Sequence, residues 1–347
     1  MAYFSLLPAL LLLSLSMHWL AIFLGSRLGL IDVPDQRKKH DGEITLAGGI
    51  GIYLSFIFAT LVLQVAPYTT TVLSITSVVF ALALYDDRYR MGAVTRLFIH
   101  YASGIALATM GGIAIHNAGN LLSLGDIPLL VLTVPLTALS VAGLCNAYNM
   151  IDGIDGLAAG TILLPLLILF GLAASRGHPM SYTLLAMVVP VLVFLFFNLG
   201  ANYRLFPKIF LGDGGSVTMG FLVTASLVYF SQGDGALIRP VTALWLVTIP
   251  LMDMIATMLR RWKRGRKLMA ADRSHLHHTL MNRGLNPTQT LVVILAYATV
   301  CAFTGVALER TSESLSLFLY FLLFLAHCAF VIASDSGREQ SVVAVDD

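Results

Sequence analysis

Long apolar stretches follow one another from end to end of this 347-residue chain, and they constrain its fold more than any other feature. The first runs from about residue 4 to 24. Others lie near 45–65, 69–85, 95–115, 128–147, 157–175, 182–199, 210–230, 240–259, 289–308 and 314–334. Each is close to the roughly 20 residues that an α-helix needs to cross the hydrocarbon core of a bilayer. Hydrocarbon offers no partners to backbone N–H and C=O groups, so such segments must be helical. Hydrophobic residues make up 57% of the chain and charged ones 12%, against roughly 25% charged in a soluble domain. The chain therefore reads as an all-α, polytopic integral membrane protein of about eleven transmembrane helices. The first run has no basic leader and no small-residue cleavage site, so it reads as a retained span. Residues 1–335 form a single transmembrane domain and 336–347 a short tail. Pro135, Pro165, Pro190 and Pro250 interrupt spans and are expected to kink them. The 3 cysteines, Cys145, Cys301 and Cys328, have neither metal-ligand spacing nor the even count of a disulfide framework.

Orientation follows from the basic residues. With the N-terminus outside, all but Arg176, Arg239 and Arg310 of the 21 Lys and Arg fall on the inner side. The C-terminus is then cytoplasmic. The same parity puts every polar motif on the cytoplasmic face. These motifs lie in 37–49, 85–96, 146–156, 198–216 and 260–283, while the outer loops are short and carry no clustered acids or bases.

Asn146, Asn149, Asp152 and Asp155 recur every third residue between two apolar runs. A three-residue step drifts around a 3.6-residue helix, so the set cannot share one helical face. Gly153 and Gly156 allow a helix end or a broken helix there. The plain reading is a polar turn. The functional one is a cation site, because hard cations take oxygen ligands. Asp86 and Asp87 end the third run. Adjacent carboxylates repel, so they need a proton, a cation or a basic partner. Arg88 and Arg90 are the neighbours that would supply one in a purely structural reading. Leu211–Ser216 is a glycine-rich turn carrying Asp213, and such turns bring backbone N–H groups to phosphate. A basic stretch, Arg260–Lys267, follows the ninth span. It suits either anchoring to anionic lipid or the drawing-in of a polyanion. His275, His277 and His278 lie just beyond. With no cysteine nearby, phosphate binding suits them better than zinc. Acids for Mg²⁺, bases for a diphosphate and a place at the bilayer edge together imply phosphoryl transfer between a soluble nucleotide and a membrane lipid. The rival classes are a cation transporter, which would hold its acids near the bilayer midplane, and a non-catalytic assembly scaffold.

These motifs resemble the polyprenyl-phosphate N-acetylhexosamine-1-phosphate transferases. The carriers are Ala47–Gly49, Asp86-Asp87, Asn146–Leu157, Asn198–Gly200, Phe210–Ser216, Pro250–Asp253 and Asp272–His278, spread over nearly the whole chain. His275-Leu276-His277-His278 places the likeness nearest the WecA-like bacterial branch. The resemblance implies an enzyme of the bacterial inner membrane, with its active site facing the cytoplasm. It would transfer an N-acetylhexosamine 1-phosphate, GlcNAc-1-phosphate first among them, from a UDP-amino sugar to undecaprenyl phosphate and release UMP. UDP-linked FucNAc, QuiNAc and GalNAc are the alternative donors. It implies Mg²⁺, with Mn²⁺ as a substitute, and a homodimer in the lipid membrane; no nucleic acid partner is expected. By the same resemblance Asn149 and Asp213 hold the metal. Asp86 and Asp87 lie by the lipid phosphate, one of them the proposed base, and Asp152, Asp155 and Asn198 line the nucleotide side. Arg261, Arg273, His275, His277 and His278 would hold the phosphates and sugar. Two departures stand out. Arg90 occupies the place of a third acid, and Thr45 that of a proline ahead of the glycine pair. A phosphate monoester has its second pKa near about 6, so the lipid phosphate is already a dianion at neutral pH and has little need of a base. Direct in-line attack is expected, with a phospho-aspartyl route as the alternative.

Overall fold

The computed structural model describes residues 2–32, 42–63, 68, 70–200, 206–265 and 275–343. The architecture is all-helical. In chain order the helices are α1 (Ala2–Arg27), α2 (Gly48–Leu63), α3 (Thr70–Tyr89), α4 (Ala93–Thr109), α5 (Thr133–Ile151), α6 (Leu157–Ser175), α7 (Met180–Leu199) and α8 (Gly212–Ser231). They continue with α9 (Pro240–Leu246), α10 (Thr248–Lys263), α11 (Leu276–Asn282), α12 (Pro287–Leu308) and α13 (Glu313–Val343). A two-stranded antiparallel ribbon, β1 (Ile31–Asp32) with β2 (Ile44–Thr45), is the sole sheet among the described residues.

Among the described residues every apolar run of the sequence contains a helix, but not all are equivalent. Among the described residues eight helices are long and apolar enough to cross a membrane, and α9 with α10 makes a ninth if that bent pair is one span. The chain is a multi-pass membrane protein. The two shorter members are α2 at 16 residues and α4 at 17. The expected kink near Pro250 is real: α9 and α10 meet at 79°. Pro250 sits in the first turn of α10, where it lacks an N–H and crowds the carbonyl four residues back, so the helix must restart there. Pro165 and Pro190, by contrast, lie inside α6 and α7, which run through them. Helix α13 continues to Val343, past the boundary expected at residue 335.

Helix α8 is the centre of the bundle. Within its most apolar window 94% is buried in the protein, against 22% for α1 and 28% for α12 and α13, which therefore face lipid. Small residues make that central place possible. A Cβ on Gly220 would lie 3.0 Å from the Cys145 backbone of α5, and one on Gly49 only 2.2 Å from the Gly215 nitrogen. Gly49 thus serves close packing of α2 on α8, and Gly48 that of α2 on Phe194 of α7 and the Phe210 carbonyl. Their N–H groups donate to the carbonyls of Phe210 and Leu211, both at 2.9 Å.

Hydrogen bonds tie many helix ends into one end of the bundle. The C-termini of α3, α5 and α7 meet the N-termini of α2, α6 and α8 there. The opposite end is held by other links. Gln232 accepts from the N–H groups of His116 and Asn117, and Glu309 caps the start of α9 through Arg239 N–H. The described parts of the polar motifs singled out in the sequence lie at the first end.

Candidate active site

The site begins at the first turn of α8. Gly212, at φ +69°, lets the chain turn into the helix, and a side chain there would crowd Asp87. Asp87, from the end of α3, accepts the N–H of Asp213 at 2.8 Å on one oxygen and of Gly214 at 2.9 Å on the other. The first N–H groups of a helix lack intrahelical partners, so a carboxylate is favoured at that position. Asp87 is thus the cap of α8, supplied from another helix. The glycine-rich turn was expected to offer its N–H groups to phosphate; the structure gives two of them to Asp87 instead.

The cap presents Asp213. Asn149, on the last turn of α5, donates its side-chain amide to Asp213 Oδ1 at 2.5 Å and to the Ser216 hydroxyl at 3.3 Å. Asp86 lies within hydrogen-bond reach of Asp213. It also accepts the N–H of Met91 at 2.5 Å. Arg96, from the first turn of α4, bridges the two acids, at 3.2 Å from Asp86 and 3.5 Å from Asp213. The adjacent arginines do not play this part as expected. Arg88 instead donates to the Gly29 carbonyl at 2.9 Å. The physical reason is geometric: a residue beside the acid points elsewhere on the helix, whereas Arg96 sits across a turn on a facing helix. Arg96 is the site residue that the sequence reading missed. Its signal was modest, a cation at a span start ten residues after the acids.

Asp152 follows Asn149 by one turn, just beyond α5, and it is exposed. Asp213, Asp87 and Asp155 are close enough for their negative charges to raise the pKa of its carboxyl. Asp86, Asp87, Asp152 and Asp213 therefore crowd one place, with Arg96 as a partly compensating cation. Among the described residues no three Asp, Glu, His or Cys side chains close around an ion by themselves. The set does fit magnesium, which takes one or two carboxylates and completes its shell with water and substrate phosphate. Asn149 offers nitrogen to Asp213 here, and a half-turn of its amide would present the oxygen.

Asp155 and Asn198 form a second group. Asn198, 4% exposed, accepts the Gly156 N–H at 2.7 Å and donates to the Ile209 carbonyl at 2.9 Å. Asp155 pairs with Lys208 at 2.5 Å. Asn198 thus holds the α5–α6 loop against the lead-in to α8, and its amide works inside the protein.

The histidines reach the same place from the far end of the chain. His275 Nδ1 bonds Asp253 on α10 at 2.9 Å. The rings of His275 and His277 lie parallel at 5.9 Å, and His277 and His278 are 4.1 Å apart. His277 abuts Gly153, where a Cβ would meet its ring at 2.2 Å. This contact joins α11 to the Asp152 loop. Arg261 is 4% exposed and has partners within the protein. Arg273 lies outside the described residues.

Burial first, and then neighbouring His278, lower the pKa of His277 to about 3, so it is neutral when folded. An unfolded histidine titrates near about 6.5. The stability this provides is complete above that value and is lost as pH falls from there toward 3. Going from about pH 7.5 to 5 should remove about 2 kcal/mol through this residue. Thermal unfolding in detergent measures it, and His277→Asn should lose that share of acid sensitivity. Equal acid sensitivity in both proteins would count against the packing role.

The family described as Glycosyl transferase family 4 matches residues 69–231, from the start of α3 to the end of α8. A curated undecaprenyl-phosphate alpha-N-acetylglucosaminyl 1-phosphate transferase of Yersinia pestis is 34% identical over 322 residues, covering 91% of this chain and 88% of that protein. The chain belongs to glycosyl transferase family 4. Proteins of the same name from Escherichia coli O157:H7 and Pasteurella multocida are 34% and 32% identical, over 87% and 85% of this chain and 83% and 85% of theirs. The family 4 match holds Asp86, Asp87, Asn149 and Asp213 within its limits, whereas Asp253 and the histidines lie beyond it. In this family 4 member the candidate site therefore spans both the matched segment and α10 and α11.

Proposed function

We propose that this protein transfers N-acetylglucosamine 1-phosphate from UDP-GlcNAc to undecaprenyl phosphate. The products are undecaprenyl-diphospho-N-acetylglucosamine and UMP, in the first membrane step of a surface polysaccharide such as O antigen or another envelope glycan. One observation carries the reading: Asp86, Asp87, Asn149 and Asp213, from three separate helices, converge at one end of a chain alignable along 91% of its length with a transferase of that name. The excess of basic residues in the loops at this end supports a cytoplasmic active site in the bacterial inner membrane.

Asp213 and Asn149 would hold Mg²⁺, which neutralises charge on a diphosphate when bound. Asp87 sets the position of Asp213 by capping α8. Arg96 lies where it can pair with a phosphate while restraining Asp86. His275, His278 and the basic residues after α10 would meet the diphosphate and sugar. Asp152 and Asp155 line the nucleotide side, on a loop that Asn198 holds in place. Phosphoryl transfer depends mostly on positioning and charge neutralisation, and a dianionic lipid phosphate attacks in line without a base.

Purified protein with Mg²⁺, undecaprenyl phosphate and a panel of radiolabelled UDP-amino sugars tests this. Labelled lipid and UMP are expected, with UDP-GlcNAc the preferred donor. Preference for UDP-linked FucNAc, QuiNAc or GalNAc would correct the sugar. No product from any donor, with cation flux in liposomes, would sink the transferase reading.

A further inference from the structure

Asp253 has no part in the chemistry assigned so far, yet it is a carboxylate only 1% exposed. It accepts the Leu276 N–H at 2.7 Å on one oxygen and bonds His275 Nδ1 at 2.9 Å on the other. Thr257, one turn along α10, lies 3.4 Å from the same ring nitrogen. His275 is itself 6% exposed. A buried acid rarely stabilises a fold better than an apolar side chain of similar size, so its presence suggests a further use.

We propose that Asp253 is a positioning residue that holds His275 through its Nδ1–H and so turns Nε2 toward the substrate phosphates. This rests on the transferase reading above. The partner of one ring nitrogen decides what the other can do. Nε2 is the ring nitrogen that neither Asp253 nor Thr257 meets. The ring lies parallel to His277, which abuts Gly153 in the loop of Asp152. With Nδ1–H held by the carboxylate, a proton on Nε2 is aimed to donate a charge-assisted bond to a phosphate oxygen. The charged or titratable groups around this pair are Arg260 and Arg261 further along α10, His277 and His278 on α11, and His327 on α13, which senses the Asp253 charge.

The test is the pH profile of kcat between about pH 6 and 9. Asp253→Asn should lower kcat about 10- to 100-fold. It should also move the alkaline limb to lower pH, because the ring loses the charge that favours its protonated form. Asp253→Glu, which keeps that charge, should hold the limb at its wild-type place. In a His275→Asn background, Asp253→Asn should change kcat less than about two-fold. An unmoved limb in Asp253→Asn, or a full further fall in the His275→Asn background, overturns the proposal. If Asp253→Asn is not recovered folded, Asp253→Glu decides: a wild-type limb supports the role, and a displaced one overturns it. Wild-type turnover in the same assay separates this from a failure of the transferase reading, which would leave no product at all.

Discussion

Asp213→Asn is expected to lower kcat by about 10³-fold or more while leaving the protein folded. Asn is nearly the same size, so it can still meet Asn149 and Arg96 in some arrangement. What it removes is one negative charge from the place proposed for the metal. An ion bound by an amide and a carboxylate loses its only charged ligand in that pair. Stabilisation of several kcal/mol at the reacting phosphates depends on such a charge, and about 4 kcal/mol corresponds to about 10³ in rate. Turnover of radiolabelled UDP-GlcNAc across a range of Mg²⁺ concentrations measures it. Wild-type activity in the variant at low Mg²⁺ would refute the assignment.

Asp87→Asn should have the second-largest effect, and of a different kind. Asp87 accepts two backbone N–H groups, one on each oxygen. Asn has one oxygen, so one N–H would face an NH₂ group instead. Leaving a buried donor without an acceptor costs about 1–3 kcal/mol. The expected result is a lower unfolding temperature in detergent together with a fall of about 10²-fold in kcat, since Asp213 is carried on the turn that loosens. If Asp87 were simply a general base, its replacement would slow the reaction and leave unfolding unchanged. That outcome would overturn the capping role.

Much of this was legible in the chain. Asp86, Asp87, Asn149 and Asp213 were separable as candidates because ionised or amide side chains beside hydrocarbon are costly and seldom incidental. Parity alone placed them on one face, and the structure brings them to one end of the bundle. Arg96 was not legible as their partner, because nothing in a linear sequence says which cation on a facing helix reaches an acid. Arg88 and Arg90 looked nearer and are nearer only along the chain. Asn198 read as a substrate contact by resemblance, but its amide holds Gly156 and Ile209. The pairing of Asp253 with His275 was invisible for the same reason, since a separation of 22 positions along the chain says nothing about distance in space.

By itself the sequence determined that the chain is a bundle of membrane helices whose clustered polar motifs share one side. Hydrocarbon forces each apolar run into a helix, and alternation of spans then decides which loops share a side. Tertiary structure alone decided what each polar group does there. Which carboxylate caps a helix, which meets an arginine and which histidine leans on a buried acid depend on how neighbouring helices are packed and turned. Those relations rest on contacts such as Gly49 against Gly215, in which the absence of a side chain brings two helices close enough for the rest of the site to form.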